Sequence, residues 1–516
     1  MANKRLFSPM SPVAPTDTVN EAGGVAYLMT PKHTLAQMAA TGCLNGTFYA
    51  SAESQLDQIL AFAKACEPSY VARVAAYARE SGYMKDAPAL LVAHLFGVGY
   101  EGFDAVFDRV IDNGKMLRNF CQIVRSGKIG RKSFGSKGKR AIRRWLDART
   151  DDQVFRASVG NDPSLADVIK MVHPKGKTKE REALYGHLIG KEKDGAMLTG
   201  LALAFEQYKK NPTGDTPDVP WEMLAGLALP PEAWKGIARS MRWQGLRMNL
   251  ATLKRHGVFD DAELVTALAA RLKDPEQVKR ARAFPYQLLM AFKHTHGEIP
   301  HALSEALQDA MEAATQNVPE IAGDIVICPD VSGSMRSPVT GDRGTATTKV
   351  LCVDVAALVM AAVVRRNPGR VRVLPFDTSV YEMPVNARDS VMTLAGSLAR
   401  VGGGGTSCSM PLLGMNAKGW KADLVIYVSD NQSWADFTPG PGTAGAEAWH
   451  QFKRRNPKAR LACVDLQPLA NHQFKPAADT LLVGGWSDTV FDVLKDFASG
   501  GTDADLWVSK IEAVAL

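Results

Sequence analysis

Cysteine is scarce in this 516-residue chain: seven residues, an odd total, and no C-x-x-C pair. That argues against a disulfide framework and a cysteine-ligated zinc site, and points to reduced thiols in a cytoplasmic protein. Long apolar runs are also missing. The longest candidate, 350–364, contains Asp354 and is short enough for a buried helix, so no membrane span is expected. Neither a P-loop G-x-x-x-x-G-K-[ST] nor H-E-x-x-H occurs, and no nucleophile stands beside a base, so the chain does not read as an enzyme. The opening stretch MANKRLFSPMSPVAPTDTVN puts Pro and Thr where a signal peptide needs an apolar block. Residues 1–19 are therefore expected to form a flexible arm.

What is present is an ordinary globular composition, 46% hydrophobic and 22% charged, in a chain long enough for two or three domains. The net charge of +7 is unevenly spread. Residues 319–516 carry 19 Lys+Arg against 20 Asp+Glu, which leaves 42 basic and 34 acidic residues before them. An excess of +8 in the first three-fifths is compatible with an anionic partner there, and equally with a solvated basic surface.

The first 318 residues read as helix. Leu56, Ile59, Leu60 and Ala63 fall at i, i+3, i+4, i+7, as do Phe103, Val106, Phe107, Val110 and Leu165, Val168, Ile169, Val172. Ser164 and Asp167 have capping-box spacing. The helix around 246–253 closes on Lys254-Arg255-His256-Gly257. Many short helices in series, with no block large enough for a central bundle, suggest stacked helical pairs with no fixed period. After Pro319 the pattern changes to β-rich runs at 325–328, 371–376, 424–428, 461–464 and 481–483. Helical stretches such as 349–366, 390–400 and 489–498 lie between them. This alternation predicts a doubly wound, mostly parallel sheet that binds ligands at its carboxyl edge. The expected domains are 1–19, 20–318 and 319–516.

At that edge "CPDVSGSMRS" (328–337) ends an apolar strand in Asp330, Ser332 and Ser334. Alone this is equally a turn and cap. Two more oxygen donors follow: Thr406 after four glycines, and Asp430 at the tip of the run 424–428. Two carboxylates and three hydroxyls make a hard oxygen site that keeps some waters, as Mg²⁺ or another divalent cation prefers. The five residues resemble the metal-ion-dependent adhesion site (MIDAS) of von Willebrand factor A domains. In that family the hydroxyls touch the ion, the aspartates act largely through water, and a partner's carboxylate often completes the shell. The insert 337–348 bears on access to the ion.

The densest basic stretch is 125–149, "RSGKIGRKSFGSKGKRAIRRWLDAR". Lys128, Arg131, Lys132 and Lys137 alternate with Gly and Ser, and Lys139, Arg140, Arg143 and Arg144 lie opposite Ile142, Trp145 and Leu146. Such a loop and helix suit phosphate tracking, and on composition alone a solvated face as well. Five segments tip that balance: "TGCLNGTFYAS" (41–51), "VARVAAYARESGYMKDAPALLVAHL" (71–95), "SLADVIKMVHPK" (164–175), "WQGLRMNLATLKRHGVF" (243–259) and "DPEQVKRARAFPYQLLMAF" (274–292). They resemble the TROVE module of the Ro autoantigen family, whose bacterial relatives also carry an A domain after it.

The resemblance implies a ring of HEAT-like α-helical repeats closed by the α/β domain. It implies small noncoding Y-like RNA on the basic outer surface and single-stranded 3′ ends of misfolded RNA in a central hole. The family's RNA-contacting His falls on His173 and a nearby basic position on Arg156. A further basic position falls on Gly160, a departure. The Lys139–Arg144 helix matches the family's basic helix. The implied partners are RNA and an exoribonuclease such as polynucleotide phosphorylase, with no membrane and a monomeric chain. An adhesion or adaptor module acting through the metal site alone is the alternative, and a metal-dependent nuclease stands third.

Overall fold

The computed structural model describes residues 13–41, 44–191, 197–212, 216–281, 283, 285–295, 297–315, 318–341, 350–437, 440–485, 488–500 and 505–516. The second half of the 337–348 insert and residues 316–317 at the expected domain junction lie outside them.

Helices fill the chain from Pro31 to Thr315. They form because their apolar residues recur on one face, and that face finds a neighbour. Phe96, Phe103, Phe107 and Phe120 of three successive helices, and Phe134 just before a fourth, meet with ring centroids 5.1–6.4 Å apart. Burying each such ring contributes about 2 kcal/mol. Ser164 caps the helix Leu165–Val172 in a full capping box with Asp167. The stretch around 246–253 is two short helices rather than one. Asn249, at φ −115°, separates Trp243–Met248 from Leu250–Arg255 and bonds back to the Gly245 carbonyl at 2.8 Å.

Eight strands occur among the described residues: β1 (Thr18–Val19), β2 (Val25–Leu28), β3 (Ile325–Pro329), β4 (Val371–Val373), β5 (Leu424–Ser429), β6 (Arg460–Asp465), β7 (Asn471–His472) and β8 (Thr480–Gly484). Five of them make a parallel sheet in the order β4-β3-β5-β6-β8. Strands β3, β5 and β8 are buried throughout, as a sheet covered by helices on both faces requires. The helix Cys352–Arg366, buried at every position from Cys352 to Val364, fills one of those faces. The sequence reading of a doubly wound C-terminal domain therefore holds.

Residues 13–19 are not a free arm. β1 pairs antiparallel with β2, and β2 pairs with β7 of the C-terminal domain. Asn20 closes the turn by accepting from Ala22 and Gly24, and it donates to the Ser433 carbonyl at 2.7 Å. At Gly24 a Cβ would lie 1.9 Å from that carbonyl, so only glycine allows the approach. The segment 13–28 thus packs with the C-terminal domain, although the sequence divides between 1–19 and 20–318.

The helical series begins and ends on the C-terminal domain, which closes the ring. On one side Lys293 pairs with buried Asp354 at 2.6 Å and Glu312 with Arg365 at 2.7 Å. On the other, His33 bonds the Leu482 carbonyl at 3.1 Å. The terminal helix Leu506–Glu512 packs on the helix Pro68–Glu80, with the Trp507 indole donating to the Tyr77 hydroxyl at 3.1 Å.

Candidate metal centre and basic surface

Because β3 and β5 are neighbours in register, their carboxyl tips place Asp330 and Asp430 side by side. Both are fully buried. The Ser332 amide donates to Asp330 Oδ1 at 2.8 Å, and the Ser429 hydroxyl donates to Oδ2 at 2.6 Å. Ser334 sits 3.3 Å from Ser332, hydroxyl to hydroxyl. The glycine loop is tied to the serine loop by the Gly333 amide donating to the Gly404 carbonyl at 2.9 Å, which brings buried Thr406 to the same edge.

Burial pushes both carboxyls up, and the charge of Asp430 raises Asp330 further. No basic side chain among the described residues forms an ion pair with either. Two buried carboxylates surrounded by hydroxyls and lacking a protein counter-charge form a donor set that fits a hard divalent cation. Among the described residues no group of three His, Cys, Asp or Glu could hold a metal, so any cation here would depend on the hydroxyls. Sequence reasoning missed two members of the site. Ser429 directly precedes Asp430 and could have been read as a donor. Tyr49, from the helical part, lies near Ser334, Asp330 and Asp430, and nothing in its spacing ties it to β3. Burial, with Asp430 nearby, pushes its hydroxyl up to about 12.

The basic stretch folds as a loop into the helix Gly135–Asp147, with Ile142, Trp145 and Leu146 buried beneath. Its cations have distinct fates. Arg144 pairs with Asp104 at 3.0 Å and Asp108 at 2.8 Å. Arg143 donates to the Val172 carbonyl at 2.7 Å and so caps the helix that His173 ends. Arg131 bonds the Phe96 carbonyl at 3.3 Å and lies over its ring, and Lys137 reaches the Tyr100 carbonyl at 3.1 Å. Lys128 stands 4.0 Å from Asp57. Lys132, Lys139 and Arg140 make no ion pair among the described residues. Lys139 lines two adjoining open grooves, one with Arg140, Arg143 and Lys177, the other with Arg125 and Lys132.

His173 is exposed in the left-handed conformation at φ 48°. Arg156, further along, is held by Asp218 at 2.6 Å. Gly160, at φ +105°, leaves a space that the Arg118 guanidinium takes: a Cβ there would meet its Nη2 at 2.3 Å. Arg118 donates to the Ala157 carbonyl at 3.0 Å. A cation from another helix thus stands beside the position where the sequence has none.

A ring of helices joined to a doubly wound domain with an oxygen-rich strand edge defines the class. Known proteins are similar to the chain in sequence and in fold. Residues 325–498 match the family model described as Ro60 vWA domain. "RNA-binding protein RO60" of Deinococcus radiodurans is 26% identical over 462 residues, 81% of this chain and 83% of the relative. A protein of the same name from Caenorhabditis elegans is 26% identical over 225 residues, 42% of this chain and 32% of the relative. The crystal structure of the Deinococcus radiodurans Ro protein (RSR) superposes with a TM-score of 0.62 at 22% identity, covering 91% of this chain and all of that one. The chain is thus similar to Ro proteins over most of its length, and its C-terminal side matches the Ro60 vWA domain.

Proposed function

We propose that this protein is an RNA-binding, non-catalytic ribonucleoprotein scaffold of the Ro type. The observation that carries the reading is the groove pair around the helix Gly135–Asp147, where Lys132, Lys139 and Arg140 are not engaged in ion pairs among the described residues. Such cations release counterions when they meet phosphate, which makes binding strong and salt-dependent. Two relatives named as RNA-binding proteins support it. The finer reading assigns this face to a small structured, Y-like RNA, with His173, Arg143 and Arg118 at its margin. Single-stranded 3′ ends of misfolded RNA would enter the ring, and an exoribonuclease such as polynucleotide phosphorylase would act on what is delivered.

The strand-tip site would hold Mg²⁺ or another divalent cation through Ser332, Ser334 and Thr406, with Asp330 and Asp430 behind them. Such an ion supplies a fixed positive charge where two carboxylates are buried together. The site is read as binding rather than hydrolytic.

The test is to change Lys139, Arg140 and Arg143 to Glu in the full chain and to titrate a structured small RNA across salt concentrations. Affinity should fall more than about tenfold, and the log–log salt slope should drop by about 0.7–0.9 for each phosphate no longer neutralised. An unchanged slope would remove this face from the interface and favour an adaptor acting through the strand-tip site. A hairpin with a 3′ overhang, compared with its blunt form, tests the finer reading. Equal affinity for the two would sink it.

A further inference from the structure

Buried polar atoms without a hydrogen-bond partner are rare in folded proteins, and each asks for a reason. Several gather where the helix Pro31–Thr41 meets the carboxyl end of β6. Asp465 Oδ2, Asn431 Oδ1, Thr34 Oγ1 and both amide atoms of Gln37 have no partner among the described residues, and all four side chains are almost wholly buried. Their convergence follows from the sheet. Asp465 pairs with Gly484 across β6 and β8, so the two positions project to the same face. On that face a Cβ at Gly484 would lie 3.1 Å from Gln37 Cα and 3.2 Å from its Cβ. Thr34 stands one turn earlier on the same side of the helix. Asn431 reaches Asp465 from the loop after β5, its amide donating to Oδ1.

Asp465 Oδ1 also accepts from His472 Nε2 at 3.2 Å. The Phe474 amide donates to His472 Nδ1 at 2.9 Å, so that ring carries its one proton on Nε2 and brings no charge. No Lys or Arg among the described residues pairs with Asp465. Buried charges are paired or coordinate metals. The unpartnered set is rich in acceptors: one carboxylate oxygen, two amide oxygens and a hydroxyl, against one amide NH₂. Such a set takes a guest that carries positive charge, not one that offers lone pairs. Ion preference follows the charge count of the ligands, and neutral carbonyl-type oxygens replace the hydration shell of K⁺. One carboxylate among neutral oxygens therefore matches a singly charged ion.

We propose that Asp465, Asn431 and Gln37 bind a monovalent cation of the K⁺ class through Oδ2, Oδ1 and Oε1, with the Thr34 hydroxyl at its side. Asn431 follows Asp430 in the chain, but the site draws on none of Asp330, Ser332, Ser334, Thr406 or Asp430 and stands independently of the strand-tip reading. Gln37 comes from the helical part, and Asp465 and Asn431 come from the C-terminal domain. The ion thus joins the two where the ring closes.

The experiment uses the full chain. Thermal unfolding is followed without divalent ions, in KCl and in choline chloride at equal ionic strength, for wild type, Gln37→Met and Asp330→Ala. Wild type should melt about 1–3 °C higher in KCl, and the gain should grow with K⁺ concentration as for any ligand bound only by the folded state. Gln37→Met keeps the length of the side chain without its amide and should lose most of that gain. Asp330→Ala, which disables the strand-tip centre, should retain it. Wild-type crystals soaked in Rb⁺, a stand-in for K⁺, should show an anomalous peak beside Asp465 Oδ2. Equal melting in the two salts, or an ordered water and no such peak, would overturn the proposal. So would a gain that survives in Gln37→Met, or one that vanishes in folded Asp330→Ala, which would assign the ion to the strand tips. Where a variant does not fold, the anomalous peak decides alone.

Discussion

The strand-tip site and the basic face hold charge in opposite ways. At the strand tips Asp330 and Asp430 are buried, hydrogen-bonded by hydroxyls and amides, and left without a basic partner. Around the helix Gly135–Asp147 the cations are solvent-facing, and several are already engaged: Arg144 by two aspartates, Arg143 by a helix carbonyl, Arg156 by Asp218. Burial makes an uncompensated charge costly, so its persistence is informative. On the surface, charge is cheap, and only the cations without partners distinguish a binding face from a solvated one.

The largest expected effect tests whether the two regions act separately. Asp330→Ala removes the acceptor that orders Ser332 and Ser429. Mg²⁺ binding should disappear from calorimetry, while affinity for a structured RNA stays within about twofold, because salt-dependent binding draws on surface cations. A parallel loss of RNA binding in a folded variant would break the comparison and place RNA at the strand tips. A smaller effect sharpens the account of the basic face. Asp104→Asn with Asp108→Asn frees Arg144 from its two ion pairs. RNA affinity should rise a few-fold with a salt slope steeper by about 0.7–0.9. No change would mean that Arg144 faces away from the RNA.

Legibility in the sequence followed the same division. The parallel sheet was readable because strands buried on both faces are short β-rich runs, and β3, β5 and β6 extend only a residue or so beyond those runs. The neighbouring tips of Asp330 and Asp430 followed from topology. Pairings between residues far apart in sequence were not readable. β1 and β2 are too short to carry a period, and the pairing of β2 with β7 spans more than 440 residues. Tyr49 lies in a turn whose partner loop begins nearly 290 residues later. On the basic face the cations could be counted along the chain, but not which aspartate reaches which arginine. Arg144 looked identical to Arg140 until Asp104 and Asp108 were placed beside it. The approach of Arg118 to Gly160 was hidden for the same reason, since the guanidinium comes from a different helix.

The smallest effect concerns how the basic face is held in shape. Ser164 accepts from the Asp167 amide at 3.1 Å, and Asp167 accepts from the Ser164 amide at 2.9 Å and hydroxyl at 2.7 Å. These bonds lower the Asp167 carboxyl below its ordinary 3.8. A lowered folded value means that the contribution is complete above that pH and fades as pH falls through the lowered value. Asp167 is almost fully solvated, so the shift itself carries little stability. The cap matters through position: the helix it opens ends at Val172, whose carbonyl takes Arg143, and at exposed His173. Ser164→Ala should weaken the helix by about 1 kcal/mol, seen as faster amide exchange over 165–173 at neutral pH. The difference from wild type should shrink as pH falls through the lowered Asp167 value. RNA affinity should change less than twofold, because Lys139 and Arg140 sit on a helix with its own buried face. A larger loss would show that Arg143 and His173, and not the free lysines, set the interface.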